Sequence, residues 1–479
     1  MSPTASPHQP PVGRAPLHAV QVLGGASTAL GGGAPSAGTA AHVRSLAEGL
    51  VARGVRVTVC AARDTELDHA FTRTGAHFAA TRGDSESDEV ASLREVCADA
   101  DLVHAHGLRA GLVAALALGR RRREVPLVVT WHTRPQPAPE GPGRADGARQ
   151  LMTRLLKRRV ARAAAVVLGV TTDLVDAARE SGARDARLAP VALPGPRREG
   201  HPLTLTLDLA VPSGPGSPDE PGAEAGGEPV AGPETVPVPG PGDEADTGAV
   251  SGADAHAGPE THARPEAHAG PVPFGPEPEP PDAGGEEAAL HKVRADIGAV
   301  GRPLLVAVGR LDRRNGYDTV LTASRAWRGL DPPPLLAVAG EGPERAALQG
   351  RIEAEALPVR LLGVREDALR LLAAADLALV TTGWEGRSLL AQEALRAGVP
   401  LVATAVGGTP ELVGEAAVLI PYGDPDSLAS AVTALLADPG RRAELAASGR
   451  ARAATWPTEN DTVAQVLSVY DELTRAPAL

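Results

Sequence analysis

The 479-residue sequence predicts an α/β protein: two Rossmann-like, doubly wound domains separated by an acidic, Pro- and Gly-rich insertion. Three observations predict it. Short apolar runs recur between stretches of helical periodicity, the signature of parallel strands buried on both faces. The same plan appears twice, in two halves of ordinary domain size. Between the halves, Ser213 to Glu287 carries 16 acidic residues against one basic residue (Arg264), with 16 Pro and 15 Gly. Such a window cannot bury enough apolar surface to offset its ordering entropy, so it is expected to be disordered. It also holds the charge. The chain has 47 Lys+Arg and 59 Asp+Glu, a net −12; the window accounts for −15 and leaves the rest at +3.

The first half opens with an apolar strand, Leu17 to Leu23, a Gly-rich loop from Gly24 to Gly38, and a helix from Ala40 to Arg53 closed by Gly54. Val43, Leu46, Ala47 and Leu50 fall on one helix face. Val55 to Cys60 completes a βαβ unit. Further strands are Asp101 to His106, Pro126 to His132 and Ala164 to Val170. The second half gives Pro303 to Gly309, Leu335 to Gly340, Val359 to Gly363, Leu377 to Thr382 and Pro400 to Thr404. A last helix, roughly Asp461 to Thr474, follows Trp456-Pro457 and is placed to cross back to the first domain. The expected division is a disordered leader (1–16), a first domain (17–194), a disordered linker (195–288), a second domain (289–456) and the C-terminal helix (457–479).

Several function classes are excluded. The acidity lacks the basic footprint of a nucleic-acid binder, and ten aromatics give no stacking platform for single strands. Cys60 and Cys97 form neither a disulfide framework nor a metal clip and point to a reducing cytoplasm. No apolar run reaches a membrane span, and Met1 to Pro16 lacks the apolar core of a secretory signal. His256, His262 and His268 sit in a repeated hexad in which Pro and Gly fix no geometry for a metal.

Ligands of open parallel sheets bind beyond the carboxyl ends of the strands. The candidate loops are Gly24 to Gly38, His106-Gly107, His132 to Arg134, Arg310 to Gly316, Gly340 to Pro343, Thr381 to Glu393 and Gly407-Gly408. The first loop does not fit the dinucleotide fingerprint, yet the helix after it offers backbone N–H groups to a phosphate. The richest constellation is in the second half. Arg310 supplies a guanidinium at a strand end. A helix start near Arg387 to Leu390 suits anionic phosphates. Glu385 and Glu393, with seven residues between them, supply carboxylates for sugar hydroxyls. Asp424-Pro425-Asp426 looks like a metal-binding triplet but reads better as a helix N-cap.

Gly309-Arg310-Leu311 with Gly316, Glu385-Gly386 with Glu393-Ala394, and Ala397-Gly398-Val399-Pro400 leading to Gly407-Gly408-Thr409-Pro410-Glu411 resemble glycosyltransferase family 4. Gly38 to His42, Arg53 to Val59 and Asp101 to Gly107 fit the same family. The resemblance covers both halves but not the leader or linker. It implies the GT-B fold, two Rossmann-like domains facing a cleft. It also implies a retaining, metal-independent transfer of a hexose-type sugar from a UDP- or GDP-sugar to an unidentified acceptor. No cofactor is implied beyond the nucleotide-sugar co-substrate.

Carried over by motif, Glu385 holds donor-sugar hydroxyls at the reacting centre and His132 assists the transferred group. Arg310 contacts the donor diphosphate, which Gly38 approaches from the first domain, with Asn315, Arg387, Ser388 and Leu389 beside it. Glu393 binds the ribose, and Gly363, Val364 and Arg365 lie near the base. The sequence departs from the family at Asn315, where a Lys is usual, and at Arg387-Ser388. Arg313, Arg314 or Arg387 are the cations available to replace the missing one. The alternative that Asn315 motivates is a catalytically weakened member that binds a sugar nucleotide or a partner. Arg149 to Arg162 holds six basic residues, with Leu151, Leu155, Leu156 and Val160 at helical spacing. This suits either peripheral contact with the inner membrane face and a lipid-linked acceptor or, the favoured reading, a core-facing helix with a solvated basic face.

Overall fold

The computed structural model describes residues 16–24, 37–81, 85–133, 144–192 and 283–475. Both expected domains fall in one compact unit. The second unit, Pro212–Asp282, lies outside the described residues, as do the hexad histidines, Arg134 and nearly all of the expected leader and linker. The helix Ala283–Asp296 begins inside the stretch that composition assigned to the linker.

Two all-parallel sheets form the framework. The first contains β1 (His18–Leu23), β2 (Arg56–Ala61), β3 (His77–Ala80), β4 (Leu102–His106), β5 (Leu127–Trp131), β6 (Val166–Gly169) and β7 (Ala186–Leu188), in the order β3-β2-β1-β4-β5-β6-β7. The second contains β8 (Leu304–Val308), β9 (Leu335–Ala339), β10 (Val359–Gly363), β11 (Leu377–Val380), β12 (Leu401–Thr404) and β13 (Val418–Ile420), in the order β10-β9-β8-β11-β12-β13. The direction in which successive strands are added to the sheet reverses between β1 and β4, a parallel pair matched from Ala19↔Leu102 to Leu23↔His106. It reverses again between β8 and β11, paired at Leu377↔Leu305 and Ala378↔Val306. These reversals are where doubly wound sheets open a crevice for ligands.

Each sheet is covered on both faces. Val20, Val22, Val103 and Val129 pack one face of the first sheet, and Ala19, Leu23, Val57 and Val128 the other. The second sheet divides likewise, with Val306 and Ala378 on one face and Leu305 and Leu377 on the other. This two-sided burial is why the central strands read as continuous apolar runs. The edge strands β3, β7 and β13 are only partly buried. Their residues alternate less clearly, and sequence patterning did not identify them.

The last helix, Glu459–Thr474, starts in a capping box between Thr458 and Asp461. It lies on the first domain, where Val463, Val466, Val469 and Tyr470 join that core. Full burial of such a side chain stabilises by about 1.5–3 kcal/mol. The helix Ala37–Val51 approaches it closely: a Cβ on Gly49 would sit 2.5 Å from Val463 Cγ2. Ser45 Oγ donates to Glu459, and Arg187 bridges to Glu472 at 2.7 Å.

The basic helix, Arg144–Ala163, is not wholly core-facing. Val160 and Ala161 are buried and Leu156 packs beside them, but Leu151, Met152 and Leu155 are exposed. The expected apolar stripe therefore splits. Only its second half reaches the core, where Val160 approaches Gly111 of the helix Leu108–Leu118. Among the described residues no helix is long and apolar enough to cross a membrane.

Candidate functional site

Arg310 and Glu385 follow the carboxyl ends of β8 and β11, the strands flanking the reversal of the second sheet. The β8 end is a tight loop. Asp312 caps a short 3-10 turn over Arg313–Asn315, and Gly316 closes it with φ 72°. A side chain at Gly316 would collide with the Thr381 carbonyl, so the position combines a left-handed backbone with close approach. Asn315 is tied into this turn. Its Nδ2 donates to the Arg310 carbonyl at 2.6 Å, and its own carbonyl accepts from Thr381 Oγ1 at 2.8 Å. Asn315 thus fixes the backbone beneath Arg310 and fastens the β8 and β11 loops together.

The expected replacements for the missing cation are engaged elsewhere. Arg314 pairs with Asp312 at 2.7 Å and Arg313 with Glu344 at 3.5 Å. Arg387 is half-buried, its guanidinium 5.9 Å from the centre of the Trp456 ring, and burial lowers its pKa to about 10. Its Nε and Nη2 have no partner among the described residues. Ser388 caps the helix Leu389–Ala397 by accepting from Ala391 N at 3.3 Å, leaving the first turn to present backbone N–H groups.

Glu385 is half-buried, and crowding by protein pushes its carboxyl up to about 7. Its backbone is pinned, because Gly408 N donates to the Glu385 carbonyl at 2.8 Å. Glu393 lies down the helix, half-buried, its pKa also raised by burial and opposed by Arg396 at 3.6 Å. Beside β10, Gly363 has φ 73° and its carbonyl accepts from Gly340 N at 2.7 Å. Val364 is exposed, and Arg365 is held by both oxygens of Asp367 at 2.7 Å. Gly38 is exposed in the first turn of the helix Ala37–Val51. Asp424 accepts from Asp426 N and Ser427 N, which makes it a helix cap.

The two domains meet at this loop. A Cβ on Gly386 would lie 2.8 Å from the His132 carbonyl oxygen, so His132 and the Glu385-Gly386 turn are neighbours. Thr172 N donates to Glu411 at 3.0 Å, and Trp384 Nε1 donates to Asp173 at 3.3 Å. A cavity of about 530 Å³ beside β3, lined by residues including Arg63, Phe78, Thr81 and Glu95, contains none of these groups.

Sequence reasoning missed the surroundings of His132. His106 Nδ1 lies 3.1 Å from His132 Nε2, and the edge of the His42 ring approaches both. The ligand nitrogens of His42, His106 and His132 fall within 4.8 Å of one another, so these three could also hold a metal ion. The Asp101 to Gly107 stretch flagged His104 and His106, but nothing flagged their approach to His132 across β4 and β5. Burial lowers the pKa of His42 to about 4 and of His104 to about 3, and moves those of His106 and His132 well below 6.5. The folded protein therefore excludes protons that the unfolded chain takes up below 6.5, and stability falls as pH drops through that window. Each histidine is expected to cost on the order of 1 kcal/mol per pH unit below 6.5. Thermal melts from pH 7.5 down to 5 check this: the fall should be shallower in His104→Gln, and a flat wild-type profile would contradict it. Burial also pushes both cysteine thiols up to about 12, which leaves them unreactive at neutral pH.

Parallel doubly wound sheets meeting at paired strand-end loops define the GT-B class of glycosyltransferases. The family comparisons agree. A model described as Glycosyl transferase 4-like domain matches residues 37–194, and one described as Glycosyl transferases group 1 matches residues 292–452. The chain belongs to the glycosyltransferases that these two domains make up. Among similar curated proteins, a GDP-mannose-dependent alpha-(1-6)-phosphatidylinositol monomannoside mannosyltransferase of Mycolicibacterium smegmatis is 31% identical over 219 residues, 42% of this chain and 55% of that protein. A D-inositol 3-phosphate glycosyltransferase of Xylanimonas cellulosilytica is 34% identical over 215 residues, 42% and 49% of the two chains. The chain thus spans about half the length of the curated relatives it matches. Among solved structures, HepE of Anabaena in complex with UDP-glucose superposes with a TM-score of 0.62 at 16% identity, covering 95% of this chain and 100% of that one. That likeness concerns the fold.

Proposed function

We propose that the protein is a retaining glycosyltransferase that moves a hexose-type sugar from a UDP- or GDP-sugar to an acceptor held on the first domain, without a metal ion. The observation that carries this is the packing of Gly386 on the His132 carbonyl, which joins the Glu385 turn and the capped helix after it to the first domain at one place. Arg310 and the helix start balance the departing diphosphate, a charge that forms during the reaction. Glu385 accepts hydrogen bonds from the donor sugar and Glu393 from the ribose, while Gly363 to Arg365 border the base. The acceptor oxygen attacks the anomeric carbon on the face that the nucleotide leaves. The bond to the diphosphate breaks, and the acceptor proton passes to a phosphate oxygen.

The similar mannosyl- and inositol-phosphate transferases make GDP-mannose and polar or lipid-linked inositols the first substrates to try. The exposed Leu151, Met152 and Leu155, interleaved with Arg154, Lys157 and Arg158, support a lipid-linked acceptor at the inner face of the membrane.

Binding and hydrolysis measured across UDP- and GDP-sugars test the reading, with turnover of at least one donor expected. Asn315 spends its Nδ2 on the turn and brings no charge, which also favours the weakened-member alternative. Asn315→Lys restores a cation at the diphosphate and is expected to tighten donor binding about ten- to a hundredfold, as a charge-assisted contact contributes roughly 1.5–3 kcal/mol. If the wild type binds and turns over nothing while Asn315→Lys binds, the weakened reading replaces the active one.

A further inference from the structure

A continuous run of buried hydrogen bonds leads from the C-terminal helix to His132. Tyr470 is fully buried, and its hydroxyl accepts from Gln21 Nε2 at 2.7 Å. The same hydroxyl lies 2.7 Å from His104 Nδ1, and His104 Nε2 lies 2.6 Å from Thr130 Oγ1. The other end of the Gln21 amide, Oε1, lies 2.9 Å from His106 Nε2. His106 Nδ1 then meets His132 Nε2 at 3.1 Å. Gln21, His104 and Thr130 are at most 3% exposed, and His106 is 4% exposed.

The donor order follows from the orientation of the Gln21 amide, which gives its N–H to Tyr470 and its oxygen to His106. An amide oxygen only accepts, so His106 must carry its proton on Nε2. A neutral imidazole has one N–H, which leaves His106 Nδ1 as an acceptor. His132 must then donate from Nε2, and its Nδ1 becomes the ring's one acceptor. Burial keeps these rings neutral, in agreement with this order.

We infer that the chain Tyr470–Gln21–His106 locks His132 in the Nε2–H tautomer with Nδ1 bare, making Gln21, His106 and Tyr470 positioning residues for a group that borders the proposed sugar site. The C-terminal helix, which follows the second domain in sequence, thereby helps to set the chemistry of a loop in the first. The consequence for catalysis rests on the reading of His132 given under the proposed function. The tautomer itself does not.

The test separates the two. The full-length protein, labelled with ¹⁵N in its imidazoles, is examined near neutral pH by long-range ¹H–¹⁵N correlation, with His132 assigned by its loss in His132→Gln. The expected result is Nε2–H for both His132 and His106. Tyr470→Phe removes one oxygen and frees the Gln21 amide to turn, so His106 and His132 should show mixed tautomers. His106→Leu should release His132 altogether. His106→Asn places an amide oxygen near the former Nδ1 position and should restore the Nε2–H signal. In transfer assays His106→Leu should lose about ten- to a hundredfold in kcat with a smaller change in donor KM, and His106→Asn should recover most of it.

A His132 protonated on Nδ1 in the wild type overturns the inference. So does a His132 signal indifferent to both His106→Leu and Tyr470→Phe, or a stoichiometric metal ion bound to His42, His106 and His132 in the purified protein. If the tautomers are as expected but no donor is turned over, the proposed function fails and this inference stands.

Discussion

Glu385→Gln is expected to make the protein more stable at pH 8 and to abolish transfer. Burial raises the Glu385 carboxyl from 4.5 to about 7. Between those values the folded protein holds a proton that the unfolded chain has released. Its contribution to stability therefore falls as pH rises through the window, and the full penalty is present above 7. With Glu385 half-buried, that penalty is on the order of 2 kcal/mol. Gln keeps the shape and removes the charge, so a gain of a few degrees in Tm should appear at pH 8 and vanish below 4.5. Activity should fall about 10²–10³-fold, the usual cost of losing one preorganised electrostatic contact. In the wild type, kcat/KM for the donor should rise with pH and level off above about 7, because the ionised carboxylate is the better acceptor for sugar hydroxyls. A Gln variant that transfers sugar at the wild-type rate removes Glu385 from the site. A Tm that does not rise contradicts the buried charge. The four depressed histidines act with opposite sign, so the two effects separate in the variant.

The second large effect is expected at Gly408→Ala. Gly408 has φ −84°, an ordinary backbone for any residue, so the substitution brings no conformational strain. What it brings is a methyl group aimed at Thr171 Cγ2 of the first domain and at the Gly386 carbonyl. Both lie too close to accept it, and one is backbone. The methyl acts as a wedge where the two domains meet, beside the hydrogen bond from Gly408 N that holds Glu385. Overpacking of this kind costs about 1–3 kcal/mol, a modest loss in a melt. The larger loss should be kinetic: displacing the Glu385 turn by a fraction of an ångström to an ångström is expected to lower kcat/KM about a hundredfold. Steady-state kinetics beside calorimetry distinguish this from unfolding. Unchanged kinetics would mean that the contact between domains does not position the turn.

Much of this architecture is legible in the chain. The central strands announce themselves because a strand covered on both faces must be apolar throughout, as in Leu304–Val308 and Leu127–Trp131. Arg310, Glu385 and Glu393 are legible because strand-end loops and helix starts have recognisable residues at fixed spacing. Of the edge strands, β10 was legible but β3, β7 and β13 were not, since one side of each lacks a partner and the burial that writes the pattern is weak there. The exposed Leu151 and Leu155 were also misjudged. Helical spacing shows that residues share a face, but not how far along its length that face meets the core.

Asn315 shows the division most clearly. The resemblance to glycosyltransferase family 4 marks it as a missing positive charge. Only the fold shows its amide holding the Arg310 carbonyl, Arg313 paired with Glu344, Arg314 with Asp312, and Arg387 beside Trp456. The amino-acid order by itself determined the two parallel sheets, the strand-end loops that carry the site, and the acidic segment whose −15 exceeds the net charge of −12. These are written in local periodicity and composition. Tertiary structure decided which side chains meet: His106 with His132, Tyr470 with Gln21, and Gly386 with the His132 carbonyl. Those partners lie 26 to 449 positions apart in the hydrogen-bonded pairs, and no periodicity within one element records a contact made by a neighbour that the chain reaches only after folding.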